Sequence, residues 1–221
     1  MVVRGVGEGD SFGGYRARLV ETLRAKGIED LAVLRAVAHA PRHRFVPESL
    51  RHRAYEDEAL PIGGGQTISQ PWVQARSLEL ARFTGRERVL EVGTGSGYQA
   101  ALLSFVADAV LSIERITALA TKARSALAAA GVRNVTVVVG DGTIGWRPLA
   151  PFDVIIVAAA SPVVPAPLLE QLAPGGRLVI PVGGRDTQIL TLLTRGIDGI
   201  LTTTTTDVRF VPLLGQHGFQ E

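Results

Sequence analysis

Apolar side chains recur at two different spacings along this chain, and the change falls near residue 86. Ahead of it, over residues 15–40, Leu19, Val20, Leu23, Leu31, Leu34 and Val37 repeat at helical intervals. Gly27 divides that stretch into two helices, and Pro41 stops the second. Residues 55–75 form a polar, glycine-rich passage. Pro71 stands there as the first-turn residue of a helix running to about Phe83, with Ser69 and Gln70 at the cap. Residues 1–14 read as a flexible tail, because residues 5–14 carry five glycines and no apolar period. Gly5, Gly7 and Gly9 imitate a phosphate loop, but no strand precedes them and no helix pattern directly follows.

After Arg86 the pattern becomes one of strands alternating with helices. Residues 89–92, 109–113, 135–139, 153–157 and 177–181 read as strands. An alanine-rich helix over 117–130 stops at Gly131, and a short helix lies over 167–172. Such alternation predicts a doubly wound, mostly parallel α/β sheet covered on both faces. Residues 188–194 and 201–210 follow one another without a helix, which predicts an antiparallel C-terminal edge; the run Thr202 to Thr206 is β-branched strand material. The expected organisation is one domain over 15–221, with a helical N-terminal addition (15–85) and an α/β core (86–221).

Composition narrows the class. In 221 residues, 46% hydrophobic side chains are enough for one sizeable core. A formal net charge of +2 permits nucleic acid as a partner without arguing for it. No cysteine is present, so disulfides and thiol chemistry are excluded. The start, Met1-Val2-Val3-Arg4, lacks the pattern of a secretory signal. The longest apolar stretch, 154–169, is broken by Pro162, Pro165 and Pro167 and is too short for a bilayer. A soluble, cytoplasmic protein with no membrane partner is expected. His39, His43 and His52 sit among Arg35, Arg42, Arg44, Arg51 and Arg53. Pro41 interrupts any i, i+4 histidine pair and no carboxylate lies at matching spacing, so a solvated basic face is expected before a metal site. Such a face could also meet an acidic peptide or RNA phosphates.

The strongest local signal is Glu91-Val92-Gly93-Thr94-Gly95-Ser96-Gly97, directly after a strand and before a helix. Glycines there let backbone approach a ligand, and the helix start presents free N–H groups. A dinucleotide fingerprint requires glycine at position 98, which is Tyr98, so the NAD form is not matched. Glu114 closes the second strand, where a carboxylate can accept from both hydroxyls of an adenosine ribose. Asp141, between Gly140 and Gly142 after the third strand, could accept from the exocyclic amine of adenine. All three features fall at neighbouring strand tips, in one crevice.

These residues resemble the protein-L-isoaspartate (D-aspartate) O-methyltransferase family. The resemblance runs through Ala54-Tyr55, Asp57 and Leu60-Pro61-Ile62-Gly63, then Gly65-Gln66-Thr67-Ile68-Ser69-Gln70-Pro71. It continues over 89–103, 112–115, 140–142, 151–160 and 171–184, and through the FVPLLG segment at 210–215. The glycine loop is shared by many methyltransferases; TISQP together with FVP is specific. The resemblance implies the S-adenosylmethionine-dependent methyltransferase fold with S-adenosylmethionine as cofactor and S-adenosylhomocysteine as product. It implies that Ser69 is the active-site serine and that Thr67, Ile68, Ser69 and Gln70, up to Pro71, close over the methionine part of the cofactor. Gly93, Thr94, Gly95 and Gly97 match the loop beneath it, Glu114 with Arg115 the ribose contact, and Asp141 with Gly142 the adenine contact. Gln74 and Ser77 stand where bacterial relatives usually carry valine and methionine; Ala158 and Leu214 each replace a frequent threonine.

The implied activity is methylation of the free α-carboxylate of L-isoaspartyl residues in damaged proteins, D-aspartyl sites being a possible extension, by a monomer without a nucleic-acid partner. Ser69 then positions the carboxylate and is no nucleophile, since no GxSxG elbow surrounds it; the bland alternative is a plain helix cap. Two rival functions stay open. A nucleic-acid methyltransferase on this fold commonly uses an Asn/Asp-Pro-Pro-aromatic loop after the fourth strand, where this chain reads Ala158-Ala159-Ala160-Ser161-Pro162. A non-catalytic adenosine-binding scaffold would have no need of TISQP. The single asparagine, Asn134, is followed by Val135, which leaves little deamidation liability in the chain itself.

Overall fold

The computed structural model describes residues 11–220. Helix α1 spans Gly13–Ala25 and α2 spans Leu31–His39. Gly27 separates them at φ +87, and Asp30 caps α2 by accepting from the N–H groups of Ala32 and Val33. Gly13 and Gly14 are the first residues of α1, so the glycine-rich stretch gives way to helix two residues ahead of Tyr15. The remainder of the expected tail, residues 1–10, lies outside the described residues.

The passage over 55–75 holds a hairpin that the sequence pattern hides. Strand β1, Leu60–Gly63, pairs antiparallel with β2, Gln66–Ile68. Leu60, Ile62 and Ile68 are buried, so the alternation is present; Pro61 and three consecutive glycines disguise it. Helix α3, Pro71–Ala81, follows at once with proline in its first turn.

The core alternates as expected. In chain order come β3 (Arg88–Val92), α4 (Tyr98–Leu103), β4 (Ala109–Glu114), α5 (Thr117–Ala129), β5 (Val135–Val139), β6 (Phe152–Val157), α6 (Ala166–Glu170), β7 (Leu172–Gly183), β8 (Gln188–Arg195) and β9 (Ile200–Val208). The sheet order is β5-β4-β3-β6-β7-β8-β9; the first five run parallel, and β8 and β9 are antiparallel. Strand β7 begins at Leu172, earlier than residue 177, because Pro174, Gly175 and Gly176 sit within the strand and mask its start.

Side chains alternate between two cores, which is why these strands read as nearly continuous apolar runs. Val89, Val110, Val154, Ile156 and Val179 pack with the helices of the N-terminal addition and with α4 and α5. Leu90, Val92, Leu111, Ile113, Ile155 and Leu178 pack on the other face, against Leu168 of α6 and Leu213 of the C-terminal segment. Among the described residues no helix is long and apolar enough to cross a membrane.

Candidate active site

From β3 the chain winds one way to β4 and β5, while β6 and β7 extend the sheet the other way. The tips of β3 and β6 therefore diverge and leave a crevice at their carboxyl ends. The glycine loop after Val92 occupies it. The N–H groups of Gly93 and Thr94 both donate to Ile113 O, at 2.9 and 3.2 Å, which fixes the loop to the tip of β4. Gly95 holds φ +54, a left-handed conformation that an L side chain adopts with strain.

Glu114 is 6% exposed and ties the loop down further. Its Oε2 accepts from Gly95 N–H at 2.8 Å and its Oε1 from Ile116 N–H at 2.9 Å. An ionised carboxylate offers about four acceptor positions, so each oxygen keeps one for a ligand hydroxyl. Beneath the loop runs a second, fully buried carboxyl. Ser112 Oγ donates to Glu91 Oε2, and Ser112 Oγ and Thr94 Oγ1 share a hydrogen bond. Burial pushes Glu91 up to about 8 and the Glu114 charge adds to this, against the hydrogen bonds of Ser112 and Gln99. Glu91 is thus mainly neutral at pH 7.

The crevice opens into a cavity that is partly open to solvent. Of the residues singled out from the sequence, Thr67, Ile68, Ser69, Gly93, Thr94, Gly95, Glu114, Arg115 and Gly142 line it. Three others have different tasks. Gly97 packs against α5, where a Cβ would stand 3.2 Å from Ala123 Cβ, so its role is helix packing. The Gln70 amide bonds Asp57 and faces a neighbouring cleft. Asp141 accepts from the N–H and Oγ1 of Thr143 and from Gln216 N–H, and so clamps the C-terminal segment; those hydrogen bonds hold its carboxyl below the usual range despite partial burial. Gly142 is in the lining and Asp141 lies beside it, outside the lining.

Sequence reasoning overlooked other wall residues. Gln74 and Gln99 both line the cavity; the Gln99 amide is turned to Glu91, while Gln74 Oε1 is buried without a hydrogen-bond partner. An unpaired buried polar atom is costly, so a polar ligand at this wall would satisfy it. The signal for Gln74 was present: it is a polar residue among Val73, Ala75, Ser77 and Leu78 on a buried helix. Val211, Pro212, Leu213 and Leu214 form an apolar wall. Leu214 supplies apolar surface where a threonine was anticipated.

A wider cleft adjoins, bounded by Asp57, Trp72, Arg185, Asp207, Arg209 and Phe210 among others. Thr67, Ser69, Ala158, Val211 and Pro212 stand in both linings. Ser69 is not the cap of α3. Gln70 holds the cap position but its side chain makes no capping hydrogen bond, and Asp57 Oδ1 accepts from Trp72 N–H at 2.8 Å. Among the described residues no hydrogen bond engages Ser69 Oγ, and the residue stands in both linings. The basic stretch around His39, His43 and His52 brings no group of three metal-ligating side chains together among the described residues. His43 instead accepts or donates at Tyr55 Oη and stacks on Phe12.

The cavity thus offers a carboxylate, a glycine floor and the unpaired Gln74 oxygen, a set of groups compatible with an adenosyl amino acid. At Gly142 a Cβ would lie 2.4 Å from Val92 Cγ1, so backbone alone fills that position.

The sequence profile of the protein-L-isoaspartate(D-aspartate) O-methyltransferase family matches residues 15–218. A protein-L-isoaspartate O-methyltransferase from Roseiflexus sp. (strain RS-1) is 53% identical over 208 residues, covering 94% of this chain and 95% of that one. Its counterpart from Methanoculleus marisnigri is 51% identical over 214 residues, covering 96% and 97%. A solved protein-L-isoaspartate O-methyltransferase superposes with a TM-score of 0.81 at 30% identity, over 92% of this chain and 67% of that one. A Plasmodium falciparum crystal structure assigned to the same enzyme class, in complex with S-adenosyl-L-homocysteine, gives 0.79 at 26% identity over 90% and 98%.

Proposed function

The chain belongs to the protein-L-isoaspartate(D-aspartate) O-methyltransferase family, and from that premise we propose that it methylates the free α-carboxylate of L-isoaspartyl residues in damaged proteins. The observation that carries this reading is the position of Ser69, in the wall shared by the cavity at the glycine loop and a wide cleft.

Glu114 would take the ribose hydroxyls, Gly93, Thr94 and Gly95 the floor, and Gly142 the adenine edge. Arg115 and Ile68 complete the walls, Thr67 stands with Ser69 at the junction, and the Gln74 acceptor suits an ammonium at the methionine end. Bound S-adenosylmethionine supplies an electrophilic sulfonium methyl, with S-adenosylhomocysteine as by-product.

No strong base is required of the protein. An α-carboxyl titrates near 3.5, so the nucleophile is already ionised at neutral pH. What remains is placement and exclusion of water. The Ser69 hydroxyl donates to one carboxylate oxygen and so aims the other, while Val211, Pro212 and Leu214 keep solvent off the junction. The methyl ester then exposes its carbonyl to the following backbone nitrogen; methanol leaves, a succinimide closes, and hydrolysis returns part of it to normal aspartate. Ordinary aspartate is rejected because its main chain leaves in a different direction from the same carboxylate.

We further propose that it acts as a monomer in the cytoplasm. Labelled S-adenosylmethionine offered with an isoaspartyl peptide, its aspartyl twin and RNA tests the proposal. Base-labile label on the isoaspartyl peptide alone is the expected result; stable label on RNA, or none on any of the three, overturns it.

A further inference from the structure

Arg42 is the largest side chain buried completely, at 0% exposure, yet no carboxylate forms an ion pair with it among the described residues. Its charge is met by backbone. Nη1 donates to Ala54 O at 2.7 Å, and Nη2 donates to Glu58 O at 3.1 Å and to Ser69 O at 2.9 Å. The guanidinium carbon stands 5.5 Å from the ring centroid of Tyr98, the first residue of α4. Burial lowers the Arg42 pKa, the Tyr98 and Asp57 groups opposing that shift.

Burying an unpaired cation is expensive, and an apolar residue of similar volume would usually serve stability as well. The bonds indicate what the charge does instead. They join the end of the short 3-10 segment Glu48–Arg53, the entry to β1 and the peptide plane of Ser69, all on the stretch that leads through the hairpin to α3. Tyr98, whose size broke the dinucleotide pattern, supplies the face on which this cation rests. One planar fork therefore ties the serine segment to the helix that follows the glycine loop. Lysine cannot reproduce that fork, since it offers a point charge where the guanidinium has fixed directions.

We propose that Arg42 is a positioning residue for the methyl-transfer reaction, holding the Ser69 peptide plane by its carbonyl so that the hydroxyl faces the junction of the two cavities. This rests on the role given to Ser69 above. It acts through Ser69, and this separates it from a residue that merely stabilises the fold.

A double-mutant cycle on the full chain tests it. The variants are R42K, S69A and the pair, with kcat and KM measured on an isoaspartyl peptide and S-adenosylhomocysteine affinity by calorimetry. R42K should lower kcat by about tenfold while changing the affinity less than about threefold, and adding S69A should lower kcat little further. Multiplying losses in the pair would show that Arg42 does not act through Ser69, and would overturn the proposal. A parallel fall of kcat, affinity and melting temperature in R42K would do the same. If R42K fails to fold, R42Q, which removes the buried charge and keeps amide donors, carries the same cycle with the same outcomes. An S69A variant with undiminished turnover would remove the serine from the chemistry, and this inference with it.

Discussion

The floor of the site and its cover are built on different principles. The floor, formed by the tips of β3, β4 and β6, is held by backbone: Gly93, Thr94 and Gly95 are tied to Ile113 and Glu114 through main-chain N–H groups. The cover, from β1 to the start of α3, is a two-stranded hairpin tethered by side chains from elsewhere, chiefly Arg42 and Asp57. A floor of this kind follows from strand pairing and needs glycine at few places. A cover of this kind depends on a small number of long-range polar bonds, each replaceable by a single substitution. Affinity should therefore reside in the first region and turnover in the second.

The most severe way to break the floor is Gly142→Ala, because the new Cβ would meet Val92 Cγ1 at 2.4 Å within the core. We expect S-adenosylhomocysteine affinity to fall by about 3 kcal/mol, roughly a hundredfold, measured by calorimetry. Glu114→Ala comes next. It removes the acceptor proposed for the ribose and also frees the N–H groups of Gly95 and Ile116, for an expected loss of about 2 kcal/mol, roughly thirtyfold. Ser69→Ala tests the cover: kcat should drop by about tenfold with cofactor affinity nearly unchanged. If Ser69→Ala weakened the cofactor as much as Glu114→Ala, the division of labour between floor and cover would be lost.

The smallest effect concerns the rear of the cover. Burial, then the charges of Arg44, Arg16 and Arg51, lower His43 to about 4 from its ordinary 6.5. Below pH 6.5 the unfolded chain takes up a proton at His43 that the folded chain refuses, so the His43 contribution to stability declines as pH falls towards 4. Glu91, protonated in the fold and ionised in the unfolded chain, opposes this down to about pH 4.5, so the measurement is the difference between wild-type and His43→Gln melting temperatures, which should shift in favour of the variant by a few degrees between pH 6.5 and 4. Affinity for S-adenosylhomocysteine, set by the floor, should not follow that curve.

Much of the floor was legible in the sequence and much of the cover was not. Residues 89–97, 109–114 and 135–142 announce themselves because buried parallel strands are uniformly apolar and their exits need glycine or a carboxylate. The β1–β2 hairpin was not seen, since a ladder of three pairs leaves little period and Gly63, Gly64 and Gly65 resemble a loop. Arg42 was counted with its neighbours as solvated basic surface: arginine is rarely buried unpaired, and no local pattern reveals that backbone carbonyls from three segments will converge on it. Motif position points to Asp141 and Gly97 as ligand residues; in the fold the Asp141 carboxylate also accepts from Gln216 N–H, and Gly97 packs on α5. Motif position identifies a neighbourhood, and only packing tells which way each side chain turns.

Ser69, Thr67 and Ala158 form a partition that both chambers share. A single molecule bearing an adenosyl head, a short tether and a carboxylate-bearing peptide could thread that partition and occupy both sides. Its second half would bind at the effective concentration set by the tether, so such a bisubstrate compound should inhibit well below the Kd of either fragment.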